Sequence, residues 1–316
     1  MQLVQKTHLR FALLVFVAKL MLLTGCTGLR NEVDPGQLGA ESAKLVVSGF
    51  LCPQDTLLAI RVSRSNTVVG DSISLLQPGI IVPNATVTLS EGDRSVVLPY
   101  YKVRPSADSA YSISAKLLPI IAGRTYKLMV VTANGQKATS TCTIPEAVAP
   151  SVVKFDSLIE QSRTQPKRYY IRVLWKDPVG QTNAYQVAGI FRYTTATNIR
   201  ESKYTSLSFD DDNRGLFTDV GIDGDTIYSG RAFLTPSSSS IINQQATFYN
   251  QYNTASVTVN LLSVDQSYYR YQEAVIRQRR SRGNPFAEPV IIPSNIEGGL
   301  GCFAGYNNAT LIRRFK

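Results

Sequence analysis

Histidine is almost missing from this chain, which has a single one, His8, in 316 residues. His8 lies in an N-terminal segment that we predict to be removed, so the mature protein would carry no imidazole. Without imidazole there is no Ser-His-Asp relay, no Cys-His pair and no His-ligated zinc site. Many hydrolase mechanisms are therefore excluded before any other residue is considered.

Long hydrophobic runs are also missing, apart from a short one near the start. Lys6 and Arg10 precede it, and no acidic residue occurs before Glu32. The apolar run is interrupted by Lys19, and it is shorter than the ~20 apolar residues of a membrane-spanning helix. The order of positive, apolar and small residues is that of a secretory signal, which we place at residues 1–25.

Cysteine is scarce, with four residues in the chain, and the first of them directly follows this signal. Leu23, Thr24, Gly25 and Cys26 match the Leu-x-small-Cys lipobox at which bacterial lipoproteins are processed. In this interpretation the Cys26 sulfur takes a diacylglycerol, and cleavage before it exposes an amine for a further acyl chain. Two or three chains anchor a protein stably, since each buried methylene contributes ~0.8 kcal/mol. The alternative is an ordinary signal peptide whose cysteine is coincidental.

The other three cysteines are Cys52, Cys142 and Cys302. An exported protein can form disulfides, and Cys52 and Cys142 fall on the first and last strand patterns of the first predicted domain. A bridge between them would close a loop of about 90 residues and stabilise the fold by ~4–5 kcal/mol in the chain-entropy model. The alternative is that all three are small buried hydrophobic side chains.

A large excess of either charge is missing too. The formal net charge is +10, and removal of the signal takes away three cations. The remaining excess is modest for this length, so it does not indicate a nucleic-acid partner. Hydrophobic residues make up 44% of the chain, which is typical of a folded globular protein, and the length predicts two domains.

The first half of the chain is predicted to be a tether followed by strands. Residues 26–44 are polar and contain Gly and Pro, as flexible tethers do. From residue 45 to residue 145, apolar and polar residues alternate in short runs such as PNATVTLS. Asn134-Gly135 between two such runs is the strongest short hairpin signal. About seven short strands without a helical period predict an N-terminal immunoglobulin-like β-sandwich.

Residues 150–316 are predicted to form a larger β-rich domain with one packed helix, so that the whole fold is mainly β. Strand alternation occurs in RYYIRVLWKD and AYQVAGIFRYTT. The helix is predicted near residues 265–282, with Asp265 as its N-cap and cations at its C-terminal end. These cations are Arg277, Arg279, Arg280 and Arg282. They form a solvated helix end or, alternatively, contact anionic lipid headgroups, lipopolysaccharide or an acidic partner loop.

Aspartates concentrate in the segment FDDDNRGLFTDVGIDGD, which suggests that this segment binds calcium. An EF-hand loop starting at Asp210 would have Arg214 at a ligand position and Gly221 in place of the bidentate glutamate, so that motif fails. An irregular calcium loop stays open as an alternative to ordinary turn chemistry. Its candidate ligands are Asp210, Asp212, Asp223 and Asp225.

The glycine run GGLGCFAG, residues 298–305, does not match the GxGxxG spacing of dinucleotide-binding loops. No strand-to-helix pattern surrounds it either. We therefore expect its glycines to serve tight turns near a close approach of two backbones.

Four segments together resemble one known family. They are KLVVSGFLCPQDTLLAIRVSRS, ATVTLSEG, ATSTCTIP and NPFAEPVIIPSNIEGGLGCFAGYN. The last is the most specific, with Asn284-Pro285-Phe286, Pro289, Ser294-Asn295-Ile296 and Gly298–Gly301 in order. Over essentially its whole mature length the chain is similar to the Bacteroidota lipoproteins of domain-of-unknown-function family 4249.

The resemblance implies a location and a role. Similar members are outer-membrane lipoproteins, often encoded beside TonB-dependent receptors, which implies a non-enzymatic accessory that captures a nutrient ligand or docks on the receptor. Glu32 and Asp34 after Cys26 favour display at the cell surface, although Arg30 interrupts them. The resemblance assigns no cofactor and no functional residue beyond Cys26. Two other hypotheses remain: a surface adhesion or structural lipoprotein, and a glycoside hydrolase with a carboxylate pair, which needs no histidine.

Overall fold

The structure, a computed structural model, describes residues 43–65, 80–102, 109–158, 168–234, 248–281, 284, 286–288 and 290–316. From Lys44 onward the described residues belong to one compact unit. The predicted signal peptide, Cys26 and almost all of the predicted tether lie outside the described residues. Within the described part, no helix has both the length and the apolar character that crossing a membrane requires.

Strands dominate the described residues, as the alternating sequence patterns predict. The strands are β1 (Leu45–Leu51), β2 (Leu57–Arg64), β3 (Ile80–Ile81), β4 (Ala85–Glu91), β5 (Arg94–Leu98), β6 (Tyr100–Tyr101), β7 (Ala110–Ser114), β8 (Thr125–Thr132), β9 (Lys137–Thr143), β10 (Pro150–Leu158), β11 (Arg168–Lys176), β12 (Ala184–Thr195), β13 (Lys203–Ser206), β14 (Leu216–Thr218), β15 (Thr226–Tyr228), β16 (Ala232–Phe233), β17 (Tyr252–Val264) and β18 (Leu300–Arg314). The helices of the described part are α1 (Phe248–Gln251) and α2 (Gln266–Ser281). The predicted mainly-β class with one long helix is confirmed, whereas the short α1 was not predicted.

The strands form three sheets in the part of the chain that the structure describes. The large sheet has the order β13-β12-β17-β18-β1-β2-β7-β6, with β14 beside β12 and β3 beside β2. The second sheet has the order β5-β4-β8-β9, and the third has the order β10-β11-β15 with β16 beside β11. The predicted hairpin joins β8 and β9, where Gly135 adopts a φ of 81° and its N–H donates to the Thr132 carbonyl at 2.9 Å.

Strand β18 joins the two halves of the large sheet. Its first six residues run parallel to β1, with Val46 opposite Leu300, and its last nine run antiparallel to β17, with Val264 opposite Tyr306. The sheet therefore passes without interruption from strands of the first predicted domain to strands of the second. The predicted boundary at residues 145–150 and the immunoglobulin-like strand order stay predictions.

Glycine is required where β18 starts beside β1. Gly301 has a φ of 117°, and a Cβ atom there would lie 2.0 Å from the carbonyl oxygen of Val47. Gly298 has a φ of 76°, and its Cβ would lie 2.3 Å from the carbonyl oxygen of Lys137. Only glycine adopts such a backbone conformation at so short a distance without strain. The close backbone approach expected for the glycine run is confirmed.

The first core lies between the large sheet and the β5-β4-β8-β9 sheet. Its side chains are mainly aliphatic, for example Val47, Ile60 and Val87. Two residues from near the C-terminus, Ile296 and Phe303, belong to the same cluster. The first core is therefore completed by a part of the chain that lies far away in sequence.

The second core lies between the other end of the large sheet and the β10-β11-β15 sheet. It is rich in aromatic rings, several of which meet edge to face: the Trp175 and Tyr185 ring centroids lie 5.5 Å apart at an interplanar angle of 65°. Phe191 and Tyr252 pack at 90° with centroids 5.4 Å apart.

Helix α2 covers only part of the outer face of the large sheet. Its buried Tyr268 belongs to the same cluster as Val264, Cys302 and Ala304 on that face. Farther along the same face, Ile190, Tyr204 and Ile312 are 41%, 73% and 60% exposed. We call this uncovered area the open face. It lies near the C-terminal end of β18, whereas Leu300 is at the N-terminal end of the same strand.

Candidate functional site

Three carboxylates meet beside the third sheet, and we call them the acidic triad. Asp177 directly follows β11, Asp219 directly follows β14, and Asp223 lies in the loop before β15. Their carboxylate oxygens lie within 4.8 Å of one another. Asp177 and Asp219 are 2% and 3% exposed, whereas Asp223 is exposed. Strand ends from different parts of the chain thus bring two buried carboxyl groups together.

Hydrogen bonds position each buried carboxylate. Asp177 accepts from the Tyr185 hydroxyl at 2.5 Å and from the Gly224 N–H at 3.0 Å. Asp219 accepts from the Asn183 N–H at 2.6 Å. Burial, together with the neighbouring Asp177 and Asp219 carboxylates, raises the pKa of Tyr185 far above its ordinary value. Tyr185 therefore stays protonated and acts as a permanent donor to Asp177.

The exposed member of the triad orders the facing loop. Both oxygens of Asp223 accept from the Gly180 N–H, at 3.0 and 3.1 Å. An open cleft of about 370 Å³ lies here, lined by residues 180–182, 219–221 and Asp223. Among the described residues, no lysine or arginine forms an ion pair with the triad.

Oxygen ligands at this spacing are those that a hard divalent cation such as calcium takes. The same arrangement also has a purely structural role, because the carboxylates tie two loops together, residues 177–183 and 219–225, through backbone N–H groups. The calcium hypothesis made from the sequence stays a prediction.

Of the four predicted calcium ligands, the structure places only Asp223 in the triad. Asp210 is instead neutralised by Arg231, whose Nε and backbone N–H donate to it at 2.7 and 2.5 Å. Asp212 and Asp225 are exposed. The predicted set therefore contains one triad member and three residues with other surroundings.

Two triad members were missing from the predicted ligand set. Asp219 belongs to the acidic segment but was not singled out, and Asp177 lies far from that segment in sequence. The available signal was positional: each directly follows a strand, where side chains of neighbouring strands converge. Knowing that β11 and β14 end near each other requires the fold.

The predicted disulfide between Cys52 and Cys142 is absent, which corrects that prediction. Both residues and Cys302 are free, buried thiols. The Cys52 Sγ donates to Gln54 Oε1 at 2.7 Å, and burial raises the pKa of Cys52. Burial also raises the pKa of Cys142, whose ionisable neighbours are Asp265 and Cys302 rather than Cys52. The two thiols therefore occupy different surroundings, in agreement with the alternative of buried hydrophobic cysteines.

Helix α2 starts and ends as predicted. The Tyr268 N–H donates to Asp265 Oδ1 at 2.7 Å, which confirms Asp265 as the N-cap. Arg277, Arg279 and Arg280 are exposed in the last turns, and Arg282 lies outside the described residues. The lipidation site Cys26 also lies outside them, so it stays a prediction.

The comparison with protein families adds one finding to this geometry. Residues 31–312 match the model of the family described as Domain of unknown function (DUF4249). The chain belongs to this family. The match covers most of the sequence, so the predicted membership of domain-of-unknown-function family 4249 is confirmed. A search of curated proteins found no match. Family membership thus assigns no activity to the triad or to the open face.

Proposed function

We propose that this family member is a lipid-anchored, non-enzymatic accessory of a TonB-dependent uptake system in the outer membrane. The observation that carries the proposal is the sequence Leu23-Thr24-Gly25-Cys26 after a positive and apolar leader. Lipid on Cys26 would hold the compact unit at a membrane surface by a tether that ends at residue 44.

The chemistry of the other cysteines supports this assignment of roles. Cys142 and Cys302 are buried, and burial raises the pKa of Cys302 to about 12, so neither supplies a thiolate near neutral pH. The single histidine, His8, falls within the predicted leader. These features favour binding over nucleophilic catalysis and leave Cys26 as the cysteine suited to modification.

The proposed mechanism is an increase in effective concentration. Two proteins confined to one membrane meet more often than two proteins in solution, so a weak contact with a receptor becomes sufficient. The tether of about 18 residues reaches at most ~60 Å, which is enough to let the compact unit search for a neighbouring receptor.

Mass spectrometry of the native protein tests the anchor. We expect a diacylglycerol-modified Cys26 at the mature N-terminus, and loss of membrane association in Cys26→Ser. Cys52→Ser is the matched control, because it removes a buried thiol and leaves the anchor in place. An unmodified Cys26 in the mature protein contradicts the proposal.

Co-purification tests the partner. Solubilised outer membranes should yield a TonB-dependent receptor with the tagged protein, enriched over an unrelated lipoprotein that carries the same tag. The accessory role is wrong if the two baits recover the same amount of receptor.

A second candidate function, adhesion, is favoured by the open face, where Tyr204 and Ile312 are largely exposed. Tyr204→Asp would weaken attachment to cells or to other copies of the chain, without affecting receptor recovery.

The glycoside hydrolase hypothesis has less support. The triad oxygens lie within 4.8 Å of one another, closer than the ~5–10 Å between catalytic carboxyl groups, and backbone N–H groups occupy them.

A further inference from the structure

Strand register determines which side chains lie together on the open face. Alternate residues of β12, β17 and β18 belong to or pack against the second core, so the residues between them lie on the outer side of the large sheet. One row crosses four neighbouring strands on this outer side, in the order Tyr204, Arg192, Ser256 and Arg314. The row beside it has the order Ser206, Ile190, Thr258 and Ile312. Since directly opposite residues are neighbours in a sheet, each row is a continuous surface.

Helix α2 covers a different part of the same side. The Tyr268 hydroxyl donates to Gln186 Oε1, and Tyr268 also clusters with Val264. Neither Gln186 nor Val264 belongs to the two rows. The side chains of Tyr204 and Ile312 are largely exposed. The two rows are thus open to a ligand.

The two arginines of the first row have no counterion in the described part of the chain. Arg192 and Arg314 are exposed, and within the described ranges neither forms an ion pair or a side-chain hydrogen bond. No position in the two rows is an aspartate or a glutamate. Glu201, in the segment between β12 and β13, pairs with Lys203 at 3.9 Å instead. The open face is therefore a basic surface that complements an acidic ligand.

The spacing of these arginines suits a chain of acidic sugars. One strand separates β12 from β18, so the backbone positions of Arg192 and Arg314 are about 10 Å apart across the sheet. This is comparable with the length of two sugar residues in an extended chain. A guanidinium binds a carboxylate through two parallel hydrogen bonds, so each arginine can hold the carboxylate of a different uronate in one chain. Ser256 places a hydroxyl between the two arginines.

The second row adds apolar contacts beside these charges. Ile190 and Ile312 lie on either side of Thr258, and their side chains are 41% and 60% exposed. Tyr204 adds an exposed aromatic ring at the β13 end of the first row. A sugar ring presents hydroxyl groups at its edge and C–H groups on its faces. A surface that combines charged, hydroxyl and apolar side chains therefore matches it.

Size and charge argue against a protein on the same face. Four strands are about 14 Å wide between the outermost chains, and two rows add about 7 Å along them. This area is a fraction of the ~800 Å² that each partner contributes to a standard protein interface. A second copy of the chain would also bring its own two arginines, with no acidic residue in the rows to meet them.

We propose that the open face binds an acidic polysaccharide of the uronate class. Arg192 and Arg314 hold carboxylates, and Ile190, Ile312 and Tyr204 contact the sugar rings. This assignment names a ligand class for the proposed capture of a nutrient, and it rests on that function for its place in uptake. The binding itself requires neither the lipid on Cys26 nor a receptor.

A fluorescent reporter tests whether the ligand binds at this face. Tyr204→Trp places the reporter in the first row, and the native Trp175 is fully buried and common to all variants. Tyr101→Trp is the matched control, because Tyr101 is 57% exposed on β6, at the opposite edge of the same sheet. The full-length chain in non-ionic detergent is titrated with oligogalacturonate, and with its methyl ester as the uncharged ligand.

Oligogalacturonate should change the emission of the reporter at position 204 and leave the reporter at position 101 unchanged. The methyl ester should affect neither. No response at position 204, an equal response at the two positions, or an equal response to the two ligands overturns the proposal.

Charge is tested by two double variants. Arg192→Gln with Arg314→Gln should weaken oligogalacturonate binding by about 10- to 30-fold, the change expected from the loss of two exposed ion pairs. Lys127→Gln with Lys137→Gln removes the same charge from exposed positions of β8 and β9 in the second sheet, and it should have little effect. Equal losses in the two double variants contradict the proposal.

Two further measurements address the other occupants. Polyglutamate of the same charge should bind more weakly than oligogalacturonate, and equal or tighter binding would assign the face to an acidic protein segment. Light scattering should show no dimer that dissociates when Arg192 and Arg314 are replaced, because such a dimer would assign the face to a second copy. Either result overturns the proposal. A missing lipid on Cys26, or a failure to recover a receptor, would refute the proposed function without affecting these results.

Discussion

The two hydrophobic cores differ in composition and in how they are assembled along the chain. The first is mainly valine, leucine and isoleucine, whereas the second is rich in aromatic rings. The fully buried members of the second core all lie between Val153 and Leu261, but the first core combines residues 45–144 with Ile296 and Phe303. The N-terminal half of the protein therefore depends on β18 for buried core residues, while the second core receives from the C-terminal segment only the partly buried Leu311 and Phe315.

The largest expected effect tests that dependence. Phe303→Ala should lower the free energy of unfolding by ~3–5 kcal/mol, because it leaves a cavity in the first core. Ile312→Ala, on the same strand but 60% exposed, should change it by less than ~0.5 kcal/mol. Denaturant unfolding measures both, and similar losses at the two positions would mean that the first core does not need β18.

The second effect concerns the pairing of β18 with β1. Gly301→Ala should cost about 3 kcal/mol, since the added Cβ meets the Val47 carbonyl oxygen in a left-handed conformation. Gly135→Ala also has a positive φ, but nothing lies within 4 Å of its Cβ, so it should cost only ~1–2 kcal/mol. Thermal unfolding measures both variants, and the midpoint of Gly301→Ala should be lower than that of Gly135→Ala, because only Gly301 lies against a second strand. Equal midpoints would contradict this prediction.

The third effect belongs to the second core. Tyr185→Phe should cost ~1.5–3 kcal/mol, because the buried Asp177 carboxylate loses a hydroxyl donor. Tyr193→Phe is the control, since the Tyr193 hydroxyl has no hydrogen-bond partner in the described part, and it should be neutral within ~0.5 kcal/mol. Unfolding by urea measures both variants. Equal stability of the two would show that Asp177 is satisfied without Tyr185.

The fourth effect decides how the acidic triad is used. In the absence of divalent cations, Asp223→Asn should slightly stabilise the protein by relieving repulsion from Asp177 and Asp219. Under the calcium hypothesis, calcium at ten times its Kd should stabilise the wild type by about 1.4 kcal/mol and the variant by less. Asp212→Asn, exposed and outside the triad, should keep the full calcium response. Thermal unfolding with and without calcium measures this, and an unresponsive wild type supports the purely structural role.

The smallest effect is a pH dependence at the cap of α2. Burial raises the pKa of Asp265, although the Tyr268 and Gly305 N–H groups oppose this. The folded state therefore holds the proton more tightly than the unfolded state, so the unfolding free energy falls as pH rises from about 4 through the folded pKa. Asp265→Asn removes this contribution, because an amide does not titrate. Urea unfolding of wild type and variant from pH 4 to pH 7 should give two stability curves that are not parallel, and parallel curves would show that the cap does not titrate with folding.

Local features could be predicted from the sequence, and long-range pairings could not. The Asn134-Gly135 hairpin, the Asp265 cap and the mainly-β class follow from patterns of a few residues. The parallel pairing of β18 with β1 could not be predicted, because the alternation of apolar and polar residues within a strand does not identify its partner. The same limit explains the triad: the acidic segment indicated Asp223, but only the fold brings Asp177 to it. It also explains the absent disulfide, because strand position does not say which thiols face each other.

The position of β18 has a consequence for how the protein is made. Gln54 and Asn307 are hydrogen-bonded across 253 positions of sequence, so synthesis delivers β1 long before its neighbour. During that interval β1 has a free backbone edge beside an incomplete apolar layer, the kind of surface on which nascent chains associate. The edge of β1 therefore stays open to such association until β18 has been synthesised.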